Sequence, residues 1–133
     1  MIGTPNTKGA KEFHGQMLVS DTSKLTDIYF QNDVNAQLIP GTGKSFNSLL
    51  ENCVGIGGFK KSYLMKSKMQ ELTMPVYFII GDKDVWDTIE NAKSIVAEMK
   101  DGEIEIVKDA GHLPWLDQPE ICTKLISQAL LKQ

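Results

Sequence analysis

The sequence has little cysteine and no apolar run long enough to cross a bilayer. Its longest apolar run covers only residues 76–80, whereas a membrane-spanning helix needs about 20 such residues. The N-terminus lacks a charged segment followed by an apolar one, so we expect no signal peptide. The two cysteines, Cys53 and Cys122, have no metal-ligand spacing around them. These absences predict a cytoplasmic protein with reduced thiols and no membrane contact.

An excess of positive charge is also missing. The 14 basic residues are outnumbered by 17 acidic ones, which gives a net charge of −3, so we expect no nucleic-acid partner. Residues 40–45 (Pro-Gly-Thr-Gly-Lys-Ser) are similar to the end of a phosphate-binding loop, but Leu38 stands where that loop needs its first glycine. The sequence therefore predicts no nucleotide, no metal and no other cofactor.

The 133 residues suffice for one domain, and they divide into two halves with different patterns. Residues 1–72 show helical spacing of apolar residues and no strand pattern, which predicts a helical region similar to a cap or lid. The segment Asp21-Thr22-Ser23 offers N-caps for a first helix running toward Leu38. We expect a second helix to contain Leu49 and Cys53, and a third to run from Tyr63 to about residue 72.

Residues 73–133 change to a strand–helix–strand–helix order. Residues 76–80 are continuously apolar, as in a buried parallel strand, whereas residues 103–107 alternate between polar and apolar. A helix between the two strands implies parallel pairing. Two parallel strands are not a stable sheet, so we predict a partial α/β fold that needs a partner segment or self-association to complete it.

Two ionisable residues follow the two predicted strands. Asp84 lies just beyond the first strand, after Gly81, and His112 follows the second strand, after Gly111. Adjacent parallel strands would bring their C-terminal loops together at the edge where active sites of open α/β folds form. A carboxylate there can orient an imidazole as a general base. A turn aspartate is the alternative interpretation of Asp84 taken alone, and the two glycines would let the backbone turn sharply.

The second half resembles the C-terminal end of the α/β-hydrolase superfamily. The resemblance rests on residues 74–84 (Met-Pro-Val-Tyr-Phe-Ile-Ile-Gly-Asp-Lys-Asp) and on residues 110–120 (Ala-Gly-His-Leu-Pro-Trp-Leu-Asp-Gln-Pro-Glu). It implies that Asp84 is the triad acid, with Asp82 as the alternative, and that His112 is the base. Asp117 stands where many members carry Glu, and residues 85–88 lack a proline that many members have. Residues 1–70 resemble, less specifically, the family's cap.

The family's nucleophile motif, Gly-x-Ser-x-Gly, does not occur in the chain. We therefore expect a hydrolase of ester or related acyl bonds represented by its C-terminal portion, inactive alone, with a small-molecule substrate and an N-terminal hydrolase segment or a second copy as partner. The alternative is a non-catalytic, self-associating module derived from a hydrolase. Trp86, Leu113 and Trp115 are predicted to line the substrate pocket, and core packing is the alternative role for the two tryptophans.

Overall fold

A computed structural model describes residues 4–63 and 66–132. Its first half contains the helices α1 (Thr7–Met17), α2 (Asp27–Gln37), α3 (Thr42–Cys53) and α4 (Lys66–Met69) and the two-residue strands β1 (Val54–Gly55) and β2 (Gly58–Phe59). Its second half contains β3 (Val76–Gly81), α5 (Ile89–Ala97), β4 (Gly102–Val107), α6 (Pro114–Asp117) and α7 (Pro119–Leu131). None of the described helices is long and apolar enough to cross a membrane.

The first predicted helix starts later than the sequence pattern indicated. Asp21 caps only a 3₁₀ turn, Thr22–Lys24, by accepting a hydrogen bond from the Ser23 amide. The α-helix α2 begins at Asp27 because the Thr26 hydroxyl accepts the Tyr29 amide. The prediction placed this cap wrongly because Asp, Ser and Thr all cap helices well.

Helix α1 was not predicted as a separate element, although Asn6 caps it by accepting the Gly9 amide. It packs on α2 through a small core of Ala10, Phe30 and Val34.

Helix α3 leads into a β-hairpin in which Val54 pairs with Phe59. The expectation of no strand before residue 72 was therefore wrong at this point. The predicted third helix is shorter than expected, since α4 ends at Met69, and Leu64 and Met65 lie outside the described residues. Two large apolar side chains of α3, Phe46 and Leu49, are more than half exposed.

The two strands of the second half pair in parallel, as predicted, with Val76 opposite Gly102 and Gly81 opposite Val107. Strand β4 alternates between exposed glutamates and partly buried isoleucines, also as predicted. Residues 76–80 are only half-buried, because in the described part of the chain β3 has one neighbouring strand. Apolar content alone does not bury a strand that lacks a second neighbour.

Helix α7 closes the second core, where Cys122 contacts Val107 and Ala110. Pro119 occupies its first turn, as the sequence predicted. The single-turn helix α6 was not predicted, and it separates the loop after β4 from α7. The described residues thus form a helical layer joined to a β-α-β-α unit, a partial α/β fold.

Candidate acid–base site

Asp84 lies in the loop between β3 and α5, and its two carboxylate oxygens have different partners. Oδ1 accepts the backbone amide of Trp86 at 2.8 Å, which closes a turn. Oδ2 lies 2.9 Å from Nδ1 of His112. The Asp84 side chain is only 9% exposed. The two interpretations weighed from the sequence, turn residue and partner of His112, therefore describe different oxygens of one side chain.

His112 lies in the loop after β4 and presents one ring nitrogen to Asp84. Its side chain is 43% exposed, and the Trp86 ring lies 6.1 Å from its own, centroid to centroid. Among residues 4–63 and 66–132, no side chain hydrogen-bonds Nε2 of His112. An Nδ1–H that donates to Asp84 leaves Nε2 as an acceptor, the protonation pattern of a general base.

Strand pairing explains why the two loops meet. Gly81 lies opposite Val107, and the pairing continues as the amides of Asp82 and Lys83 donate to the carbonyls of Val107 and Ala110, each at 2.9 Å. The loop of the candidate acid, residues 82–88 (the acid loop), and the loop of the candidate base, residues 108–113 (the base loop), therefore leave the same edge of the sheet side by side.

Gly81 is required for this contact because of space and not because of an unusual backbone angle. A Cβ at Gly81 would lie 2.1 Å from the Ala110 carbonyl oxygen, and one at Gly111 would lie 2.9 Å from that of Leu18. Neither glycine is among those with positive φ. The expectation that both glycines serve a sharp turn is corrected: they permit close approach of neighbouring backbones.

An ion pair also joins the two loops. The Lys83 ammonium group lies 2.8 Å from the Asp109 carboxylate, and Asp109 adopts a left-handed conformation with φ of 55°. The hydrogen bond and charge of Lys83 hold the pKa of Asp109 below its usual value, and Asp109 in turn raises the pKa of Lys83. Both groups are exposed, so screening by solvent keeps this link weak.

The remaining predicted residues surround this pair in different ways. Asp82 contacts the Ala110 amide at 3.3 Å and makes no hydrogen bond to His112. Trp86 and Trp115 are each about half exposed. Leu113 is partly buried, and its amide donates to the Leu18 carbonyl at 2.8 Å. The structure thus brings Asp84, His112 and Trp86 into direct contact.

Sequence reasoning missed the segment from Met17 to Asp21, which contacts both loops. The Trp86 indole donates to the Met17 carbonyl at 2.7 Å, and the Ser20 hydroxyl donates to the Asp109 carbonyl at 2.8 Å. These contacts are made by backbone carbonyls and one serine, so no side-chain motif in the sequence predicts them. The helical half therefore supports the loops of the second half.

A second His–Asp pair, also missed, lies in the helical layer. His14 is 5% exposed, its Nε2 is 3.4 Å from the Asp33 carboxylate, and its ring packs edge-on against Tyr29 and Phe30. Burial among aromatic rings assigns His14 to the core. The sequence did contain a signal for this burial, because His14 lies at helical spacing from Ala10 and so on the same face of the helix.

The described residues form no candidate metal site around the pair. The described residues contain no cluster of three His, Cys, Asp or Glu side chains that could hold a metal. A groove of about 350 Å³ lies elsewhere, between β3 and α7, and includes Tyr77, Glu103 and Lys132.

Comparison with known proteins relates this arrangement to hydrolases. No model of a known protein family matches the chain. Proline iminopeptidase PfmaB of Pestalotiopsis fici is 27% identical over 110 residues, which are 81% of this chain and 38% of that protein. The chain thus spans well under half of the curated relative that it matches.

Solved structures give the fold. A serine hydrolase involved in carbazole degradation superposes with a TM-score of 0.82 at 15% identity, covering 96% of this chain and 48% of the other. An alpha/beta hydrolase from a lagoon-sediment metagenome of Mar Chica, Morocco, superposes with a TM-score of 0.56 at 16% identity, covering 77% and 44%. The chain has part of the α/β-hydrolase fold, and its resemblance to the C-terminal part of such a protein is confirmed at that level.

Proposed function

We propose that the chain supplies the acid and the base of a hydrolase that cleaves an ester or a related acyl bond in a small molecule. The observation that carries this proposal is the 2.9 Å contact between Asp84 Oδ2 and His112 Nδ1 at the end of two paired parallel strands. In the proposed reaction Nε2 of His112 accepts the proton of the attacking hydroxyl, and Asp84 stabilises the resulting imidazolium.

The nucleophile and the oxyanion hole belong, in this proposal, to an N-terminal hydrolase segment. No Gly-x-Ser-x-Gly occurs in the chain, and preorganised oxyanion donors normally supply much of the rate of such enzymes. Residues 1–72 act as the cap over the completed site, and the protein works in the cytoplasm. The isolated chain is expected to be inactive.

The substrate side of the proposal rests on the aromatic surroundings of the pair. Trp86 contacts the His112 ring. Trp115 is the second residue of α6, the helix that begins directly after Leu113. These side chains would favour an apolar acyl or alkyl group over a sugar. The comparisons support a hydrolase but leave the substrate open, since one relative is an iminopeptidase and another a serine hydrolase of carbazole degradation.

A chimera tests the proposal directly. The part of the carbazole-degradation serine hydrolase that matches this chain would be replaced by the chain itself, so that the host supplies the nucleophile. We expect hydrolysis of p-nitrophenyl esters that falls about 1,000-fold or more on His112→Ala or Asp84→Asn. A folded chimera whose activity is unaffected by both substitutions would refute the assignment.

Asp82→Asn is the matched control, because Asp82 lies in the same loop and contacts the Ala110 amide but not His112. It should retain most of the activity, whereas a loss equal to that of Asp84→Asn would transfer the acid's role to Asp82. The isolated chain should hydrolyse the same esters no faster than its His112→Ala variant. Faster turnover with stoichiometric labelling by a serine-directed phosphonate would contradict the missing nucleophile.

A second candidate is a non-catalytic module that associates with copies of itself. The observation that favours it is the open edge of β3, which pairs only with β4 in the described part of the chain and is half-buried throughout residues 76–80. Unpaired strand edges promote pairing with another chain. Sedimentation at micromolar concentration should show a dimer or larger species that the substitution Phe78→Lys disrupts. A stable wild-type monomer would exclude this candidate.

A further inference from the structure

Asp117 is a buried carboxylate for which the acid–base pair itself gives no role. It lies at the end of α6 and is only 2% exposed. Its Oδ2 accepts the amides of Ser20 and Gly111, both at 2.8 Å. Its Oδ1 accepts the Asp21 amide and the Ser20 hydroxyl, both at 3.1 Å. Buried carboxylates need such partners, but these partners belong to two distant parts of the chain.

One of these partners directly precedes the proposed base. The Gly111 amide bonded to Oδ2 belongs to the Ala110–Gly111 peptide, one residue before His112. The flanking positions are fixed too, since the Ser20 hydroxyl donates to the Asp109 carbonyl and the Leu113 amide donates to the Leu18 carbonyl. We call residues 18–21 together with Asp117 the brace. It holds the base loop before, at and after the turn that carries His112.

We propose that Asp117 is a positioning residue, which keeps His112 in hydrogen-bond register with Asp84 by fastening the Gly111 turn to the Ser20–Asp21 segment. His112 itself has little packing to hold it, because its side chain is 43% exposed. The ring can keep a 2.9 Å contact with Asp84 only where its backbone is held. The inference rests on the proposed function, because it assigns Asp117 a role in aligning that function's base.

The chemistry of the brace requires a group that accepts on both oxygens. The groups that hydrogen-bond the Asp117 carboxylate are all donors. They are the backbone amides of Ser20, Asp21 and Gly111 and the Ser20 hydroxyl. Asparagine would turn an NH₂ toward one set of these donors, so at least one backbone amide would lose its acceptor whichever way the side chain is oriented. Glutamate retains both acceptors on a longer chain, which makes it the conservative variant.

The test reads the tautomer of His112 in the ¹⁵N-labelled full chain, by two-bond ¹H–¹⁵N correlation at about pH 8.5, where an imidazole is neutral. A hydrogen bond to Asp84 should hold the proton on Nδ1. We expect Asp117→Asn to lower the Nδ1–H fraction of His112 to the level seen in Asp84→Asn, and Asp117→Glu to restore most of it. The buried His14, the other histidine of the chain, reports within the same spectrum that the fold persists.

Glu120→Gln is the control, an exposed carboxylate close to Asp117 in sequence, and it should leave the tautomer unchanged. A folded Asp117→Asn chain with the wild-type tautomer would overturn the proposal. Should that variant unfold, Ser20→Ala removes the hydroxyl that joins Asp117 Oδ1 to the Asp109 carbonyl. A lowered Nδ1–H fraction in a folded Ser20→Ala chain would support the brace, and an unchanged fraction would count against it.

The experiment separates the Asp84–His112 pair from the role of Asp117. A wild-type His112 with no Nδ1–H preference would count against the Asp84–His112 pair. A preference that survives every change to the brace would count only against the role of Asp117.

Discussion

Replacing Gly81 by alanine tests the contact between the acid loop and the base loop most directly. The new Cβ would lie 2.1 Å from the Ala110 carbonyl oxygen and 2.2 Å from that of Gly111, whereas ordinary contacts begin at 3.4 Å. The two backbones must therefore separate by roughly 1 Å, and overpacking of this kind costs about 1–3 kcal/mol. We expect the upper end, because backbone atoms and not a flexible side chain oppose the methyl group.

The separation would also break the hydrogen bond from the Lys83 amide to the Ala110 carbonyl and draw His112 away from Asp84. Urea unfolding followed by circular dichroism would measure the change in the free energy of unfolding. Gly43→Ala is the matched control: it lies in helix α3 with no atom within 4 Å of its added Cβ, so alanine there should stabilise the chain by about 0.5–1 kcal/mol. Equal stabilities of Gly81→Ala and the wild type would refute the close approach.

Three further outcomes are expected. Lys83 lowers the pKa of Asp109 from 3.8, so their ion pair stabilises the fold above that pH and loses its effect as the pH falls through the lowered pKa. The variant Lys83→Met should therefore be less stable than the wild type near neutral pH. The denaturation curves of the two proteins should converge in acid. Ellman's reagent should label the partly exposed Cys53 quickly and Cys122 only after unfolding, since Cys122 is 1% exposed and burial raises its pKa; rapid reaction of both thiols would contradict the second core. His14→Ala should lower the free energy of unfolding by about 3 kcal/mol, because a buried ring is lost. His112→Ala should change the free energy of unfolding by less than about 1 kcal/mol. Comparable losses in the two variants would contradict the assignment of His14 to the core and of His112 to the surface.

The sequence predicted the second half of the fold better than the first. Parallel pairing of β3 and β4 followed from two strand patterns separated by a helical one, and Pro119 located the start of α7. The helical half was harder because several residue types cap a helix equally well: the sequence indicated a cap within Asp21–Ser23, whereas Thr26 caps α2. The hairpin at Val54 is held by two residue pairs, too few to produce an alternating pattern.

The contact between Asp84 and His112 could be predicted from the sequence because each residue follows a strand, and the ends of parallel strands lie at one edge of a sheet. The contacts that hold the two loops in place could not be predicted from the sequence. Met17 and Leu18 contribute backbone carbonyls, which any residue could provide, so their identity carries no signal. Asp117 did carry a signal in the sequence, because it is an acidic residue at a position given by the resemblance. Its partners Ser20 and Asp21 lie 97 and 96 residues away, so no local pattern could predict these contacts.

These contacts bear on how the site depends on the rest of the sheet. The contacts described above for Asp84 and His112, from the Gly81–Ala110 approach to the brace, are made by residues of this chain. The edge of β3, by contrast, has no strand partner among the described residues. In the proposed function, completing the sheet therefore adds a nucleophile to an acid–base pair that these contacts already align. The His112 tautomer should accordingly be the same in the isolated chain and in the chimera, and a tautomer preference that arises only in the chimera would show that the added segment orders the pair.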